Sequence, residues 1–168
     1  MKYNKIDTNL FIKNRKNFAK KLEQNSVAFF NSNDIYPISA DSTLPFEQHR
    51  DIFYLSGIDQ EESILVIFPD TTNIKYKEIL FIRETNNHII HWEGEKLTKN
   101  QATEISGIKN IHWLGDFDMI LNELINESDN VYINTNEHYR QNVETQTRED
   151  RFINHLKNIG GINFKKSN

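Results

Sequence analysis

At 168 residues, with 37% hydrophobic and 26% charged positions, the chain has the size and balance of one globular domain with its own core. A formal net charge of −4 argues against nucleic acid as a primary partner, because such partners favour a basic footprint. The absence of cysteine excludes disulfides, thiolate metal sites and a cysteine nucleophile.

The opening MKYNKIDTNLFIKNRK lacks the apolar core and small-residue cleavage site of a secretory signal. The longest apolar run, Ile64 to Phe68, is far short of the ~20 residues needed to span a bilayer. A soluble, cytoplasmic protein without a membrane partner is expected. An amphipathic helix is predicted over residues 8 to 23, capped by Asp7 or Thr8, with Leu10, Phe11, Phe18 and Leu22 at helical spacing. Lys13, Arg15, Lys16, Lys20 and Lys21 fall on its other face, where a solvated surface is favoured over an anion- or membrane-binding patch.

Ser26 to Phe30 is predicted as a buried strand, followed by a long polar loop over residues 31 to 50. Residues 51 to 55 and 63 to 68 are predicted as strands on either side of a turn at Gly57. Lys77 to Arg83 and His88 to Trp92 are predicted as two further strands joined by a tight turn at Asn86-Asn87. Thr98 and Gln101 stand at capping-box spacing before a short helix that Gly107 would stop. A strand from Ile111 to Leu114, a helix from Asp116 to about Glu127, a strand at Val131 to Ile133 and a polar helix over residues 137 to 158 complete the pattern. The tail GGINFKKSN has neither the periodicity nor the length for another element and looks like a domain boundary. Strands joined by short turns, followed by strand-helix-strand alternation, define an α/β protein with a mixed sheet and helices on both faces.

Few residues suggest chemistry. His88 and His91 stand three apart, and on the predicted strand their rings point to opposite faces, so a shared metal is disfavoured. His49, His112, His138 and His155 are scattered, which favours surface or partly satisfied histidines. Asp59, Glu61 and Glu62 fit a solvated loop better than an acid-base pair. No nucleophile elbow, phosphate loop or zinc helix is present. Trp92, between an apolar stretch and the turn Glu93 to Lys96, fits either an exposed binding residue or a ring folded back over the sheet edge. Trp113, within IHWL, fits the core.

The order of segments resembles the N-terminal domain of the aminopeptidase P family. VAFFNSND, the Ala40-Asp41 to Pro45-Phe46 approach, PFEQHRDIFYLSGID, EILFIRE, the HWEG turn and VYINTNEH follow one another with the family's spacing. One departure is Phe46-Glu47-Gln48-His49, where bacterial members often read Phe-Arg-Gln-Asn. The charge change at Glu47 puts any salt bridge carried over at that position in doubt. The resemblance implies a roughly six-stranded mixed sheet of ribonuclease H-like topology, like the creatinase and prolidase N-terminal domains. It implies that residues 1 to 160 form the domain and that 161 to 168 begin a linker to a catalytic domain absent from this chain.

For function, the resemblance implies a non-catalytic domain of a metal-dependent Xaa-Pro aminopeptidase, which releases an N-terminal residue preceding proline. Proline-containing peptides would be the substrates, and two divalent metals, usually manganese, would sit in the missing domain, with no cofactor in this chain. The domain would pack on the catalytic domain, help form a homo-oligomer and close part of the substrate entrance, with Trp92, His91 and Glu93 at that entrance. A prolidase or creatinase relative and a stand-alone binding module remain alternatives. A two-metal nuclease is disfavoured because the strand interiors carry no Asp or Glu.

Overall fold

A computed structural model describes residues 4–135, 146–159 and 164–165. The chain opens with helix α1 (Thr8–Ala19), whose N-cap Asp7 accepts a hydrogen bond from the Asn9 amide. Strand β1 (Ser26–Asn31) is buried along its whole length. A small hairpin, β2 (Pro37–Ser39) and β3 (Ser42–Thr43), occupies what was expected as uninterrupted loop. Next come α2 (Arg50–Ser56), β4 (Ile64–Ile67), β5 (Glu78–Ile82) and α3 (Asn87–Glu93). Helix α4 (Lys99–Ser106), β6 (Asn110–Trp113), α5 (Phe117–Glu127), β7 (Asn130–Ile133), α6 (Arg148–Ile159) and β8 (Phe164–Lys165) complete the order.

The main sheet runs β6-β5-β4-β1-β7-β8. Strand β4 is antiparallel to both β1 and β5, whereas the β5–β6, β1–β7 and β7–β8 pairs are parallel. The β4–β5 pair, joined without an intervening α-helix, is antiparallel, and the helix-linked β5–β6 and β7–β8 pairs are parallel, whereas β1 and β4 pair antiparallel across the connection that carries the hairpin and α2. Three strands in antiparallel pairing, β1, β4 and β5, and three that add in parallel, β6, β7 and β8, make the expected mixed, roughly six-stranded sheet.

Residues alternate between two cores because neighbours on a strand face opposite ways. Val27, Phe29, Val66 and Phe81 join α5 and α6 through Phe117, Leu121, Leu124, Phe152 and Leu156. Ala28, Phe30, Leu65, Ile67, Leu80 and Ile82 face α2 and α4 through Ile52, Leu55 and Ala102, with Phe18 of α1 packed alongside. Each fully buried aliphatic or Phe side chain contributes about 1.5–3 kcal/mol. No described helix is long and apolar enough to cross a membrane.

Four expectations are corrected. Residues 51 to 55 are helical: His49 caps α2, Ile52 and Leu55 share its buried side, and Gly57 ends it at φ 72°. The His88 to Trp92 strand is also a helix, because the Asn86 side chain accepts from the His88 and Ile89 amides instead of forming a hairpin turn. The tail does form another element, since β8 pairs in parallel with β7 through Val131–Phe164 and Tyr132–Lys165. Arg15 is not solvated: it is 1% exposed, its Nη1 donates to the Leu55 carbonyl at 2.8 Å, and its Nε pairs with Glu78 at 3.0 Å.

The long polar helix predicted from residue 137 is described only from Arg148 to Ile159, and His138 lies outside the described residues.

Candidate functional site

Two regions carry candidate functional side chains. The first is α3 with its flanks. Its cap is local, but its attachment to the rest of the molecule is ionic. Arg83, at the end of β5, contacts Glu93 through Nη1 at 2.7 Å and Nη2 at 2.8 Å, and its Nε pairs with Glu62 at 3.1 Å. Beyond the helix, Lys96 pairs with Glu61, and the Leu97 amide donates to Gln60 Oε1 at 2.7 Å. The acidic loop is therefore a clamp on the chain around α3, and Glu61 within it is buried rather than solvated as expected.

Held this way, α3 projects Trp92 outward. Trp92 is 72% exposed and stacks edge-on against the His91 ring at 5.1 Å between centroids. His91 and Glu93 are exposed beside it, so the three expected entrance residues form one surface corner. The helix also reverses the argument made for His88 and His91. On a helix, residues three apart lie on one side, but no group of three or more His, Asp or Glu among the described residues could hold a metal. Trp113 is only partly buried against the core, with Lys99 Nζ 4.6 Å from its ring centroid.

The second region lies outside the carboxyl ends of β1 and β7. These strands are adjacent and parallel, and the chain leaves them in opposite directions, toward β4 and toward β8. Such a switch point opens a crevice. Here it is a cavity of about 470 Å³ between the hairpin approach (Ser32 to Tyr36, Leu44 to Glu47) and the start of α6 (Thr147 to Asp150).

His49 is one of the residues that line it. Its Nδ1 accepts from the Asp51 amide at 3.3 Å, and its Nε2 stands 3.5 Å from Glu149 Oε1. Burial lowers the His49 pKa, partly offset by Asp51. Burial pushes the Glu149 carboxyl up to about 7, with Asp51 and Asp150 adding to the shift. Glu149 Oε1 is buried without a hydrogen-bond donor. The start of α6 is fixed by a reciprocal cap, in which Thr147 Oγ1 accepts from the Asp150 amide and Asp150 Oδ2 accepts from the Thr147 amide. That T-x-x-D spacing is the sequence signal that places the helix start here, and it was passed over.

Comparison with known proteins identifies the class first. Solved structures with this fold include one assigned as an aminopeptidase P from Bacillus anthracis, with a TM-score of 0.84, 21% identity, 96% of this chain covered and 38% of that one. Pseudomonas aeruginosa aminopeptidase PepP superposes with a TM-score of 0.77 at 23% identity, over 92% of this chain and 32% of that one. The family model for the aminopeptidase P N-terminal domain matches residues 11–132, and the chain belongs to that family. A curated relative, the Xaa-Pro aminopeptidase of Escherichia coli (strain K12), is 27% identical over 124 residues, which is 73% of this chain. Xaa-Pro aminopeptidase 3 of Homo sapiens is 27% identical over 103 residues, 60% of this chain. The chain spans 27% of the bacterial relative's length and 20% of the human one's.

Proposed function

We propose that this chain is the non-catalytic N-terminal domain of a metal-dependent Xaa-Pro aminopeptidase in the cytoplasm, contributing substrate access and oligomerisation. The observation that carries this is the family match over residues 11–132, on a chain that spans about a quarter of the bacterial relative. The paired divalent metals belong to the remainder of the enzyme. The described residues here offer no converging ligand set for them, so no chemical step is assigned to this chain.

Its contribution is a surface. Trp92 offers a large, rigid apolar face at small entropic cost, on a helix that the core does not bury. His91 and Glu93 rim it with polar groups, which suits an entrance where peptides pass. An assay of the purified chain on an X-Pro peptide, with and without manganese, tests the assignment. No turnover is expected, and metal-dependent turnover that co-purifies with the chain overturns it. In an enzyme that joins this domain to its catalytic partner, Trp92→Ala is expected to raise KM with little change in kcat. Unchanged kinetics for peptides of every length would remove the entrance role.

A further inference from the structure

Among the described residues, α1, α2, α4, α5 and α6 each bury at least one side chain, and α3 buries none. A helix of seven residues does not persist on propensity alone, so α3 stays folded only through what ties it down. Those ties are the Asn86 cap and the Arg83 guanidinium, whose Nη1 and Nη2 meet the two oxygens of Glu93 at 2.7 Å and 2.8 Å. Glu93 is the last residue of the helix, where the dipole disfavours an anion. Without Arg83, its charge would work against α3.

The groups on either side of α3 are anchored without it. Arg83 follows directly on β5, and its Nε pairs with Glu62 at 3.1 Å. Glu62 also offsets the burial of the Arg148 charge, and it holds a left-handed backbone at φ 52°, uncommon for a residue other than glycine. Beyond the helix, Lys96 pairs with Glu61, both largely buried, and the Leu97 amide donates to Gln60. Between this anchor and α3 lies Gly94, at φ 83° and ψ 176°, a conformation open in practice to glycine alone. Arg83 thus keeps one carboxylate when Glu93 leaves, and opening strands no buried charge. The closed form leaves Thr85 Oγ1, just ahead of the helix, buried without a partner, and opening returns it to water.

We propose that α3 is an ionically latched segment that opens and refolds independently of the two cores, with the Arg83–Glu93 contact as its latch and residues 84 to 86 and Gly94 as its limits. Few buried contacts have to break for such local opening. An exposed ion pair is also weak enough to break often. The state of the latch decides whether Trp92 is presented from an ordered helix or from a mobile loop. The proposal concerns this chain alone and does not rest on an entrance role for Trp92, so the latch and that role fail in separate experiments.

Amide hydrogen exchange of the full chain, read by mass spectrometry on peptides that cover α3, tests the latch, with α2 as the internal control. At low salt the α3 amides are expected to be protected. From about 20 mM to about 0.5 M NaCl, where screening acts over about 4 Å, their exchange should rise about three- to fivefold. Exchange in α2 and in the central strands should stay as it was, because buried apolar side chains hold them.

Arg83→Gln leaves Glu62 and Glu93 without their shared cation and should raise α3 exchange at low salt by about fivefold. The salt response should then vanish or reverse, since only repulsion between two carboxylates remains to be screened. Arg83→Lys keeps the charge but not the two-pronged contact and should fall between the two. Gly94→Ala strains the backbone only while α3 is folded, so it should speed exchange there with little change in the cores. Should Arg83→Gln fold poorly, the salt series on the unaltered protein still decides. Exchange in α3 that is unprotected at low salt, that ignores salt, or that rises only together with exchange in the cores overturns the proposal.

Discussion

Helices α2 and α3 carry the same local signals and have different fates. Each is seven residues long, each follows a capping side chain, and each ends at a positive-φ glycine, Gly57 or Gly94. Helix α2 buries Ile52, Leu55 and Ser56 against the sheet, and it is tied to α1 by side chains that reach its carboxyl end. Asn14 Nδ2 donates to the Tyr54 carbonyl at 2.8 Å and Arg15 to the Leu55 carbonyl at 2.8 Å, satisfying acceptors that a helix end leaves open. None of the described side chains of α3 is buried, and what holds it is a cap plus exposed ion pairs. Caps and glycines therefore define where short helices start and stop, while tertiary contacts decide whether they are core or surface.

The largest effect should come from cutting α2 loose. Arg15→Ala removes a fully buried guanidinium that pairs with Glu78 and donates to Leu55. Breaking a buried pair from one side typically costs about 3–5 kcal/mol. Because Glu78 is itself a third exposed and can be partly rehydrated, a loss near the lower end is expected in urea unfolding. A loss below about 1 kcal/mol, the scale of an ordinary surface site, would mean that α2 stands without α1.

Gly57→Ala should come next. The added Cβ would run into the ring of Phe11, a residue only 3% exposed, at a backbone φ of 72°. Left-handed backbone costs about 1–2 kcal/mol for a non-glycine residue, and overpacking adds a similar amount. At Gly94 the same carbon meets nothing within 4 Å, so an alanine there carries only the strain of its own backbone, φ 83° and ψ 176°, and the clash with Phe11 is what sets Gly57 apart. Thermal unfolding of the two variants should therefore show a clearly larger loss at Gly57. Equal losses would erase the distinction between the two helices.

These two helices also mark the limit of what the sequence made legible. The long apolar runs were unambiguous: Phe29, Leu65, Ile67, Leu80 and Ile82 are buried as their patterns required, and Ile133 is partly buried. The Thr98–Gln101 capping box was equally direct, and both of its bonds are present. Seven residues, however, cover only two helical turns, too few for a 3.6-residue period to outweigh a run of β-favouring side chains such as Ile52-Phe53-Tyr54 or His88 to Trp92.

Arg15 was misplaced for a related reason. A helix face rich in lysine resembles solvent, and only the fold reveals that one cation on it meets a carbonyl and a carboxylate. Trp92 was legible as an exposed aromatic. The cavity at Glu149 was not, because its walls come from segments about a hundred residues apart.

A third, pH-dependent effect separates the ionic cavity from both helices. The Glu149 carboxyl is raised in the folded state to about 7 from an ordinary value of 4.5. The folded protein therefore binds the proton more tightly than the unfolded chain does. Stability from this group is fully present below the unfolded value and is lost as pH rises through about 7. Its side chain is 13% exposed, so a penalty on the order of 2 kcal/mol is expected once it is ionised. Glu149→Gln should accordingly be stabilising at pH 8 and close to neutral at pH 4. Denaturant midpoints across that range check the sign, and a variant less stable at pH 8 would show that the ionised carboxyl has a partner.

The smallest effect is expected at Trp92, and it is the sharpest test of the contrast between the helices. With 72% of its surface exposed and His91 as its ring neighbour, Trp92 has little packing to lose. Trp92→Ala should change unfolding free energy by no more than about 0.5 kcal/mol, as surface substitutions do. The same variant should change the fluorescence markedly. It leaves Trp113, partly buried beneath Lys99, as the remaining tryptophan, so emission should shift to shorter wavelength and quenching by acrylamide should fall. If stability instead drops by more than about 1 kcal/mol, Trp92 is packed as the residues of α2 are packed. The difference between the two helices would then be one of degree, and the exposed corner would lose its standing as a contact surface.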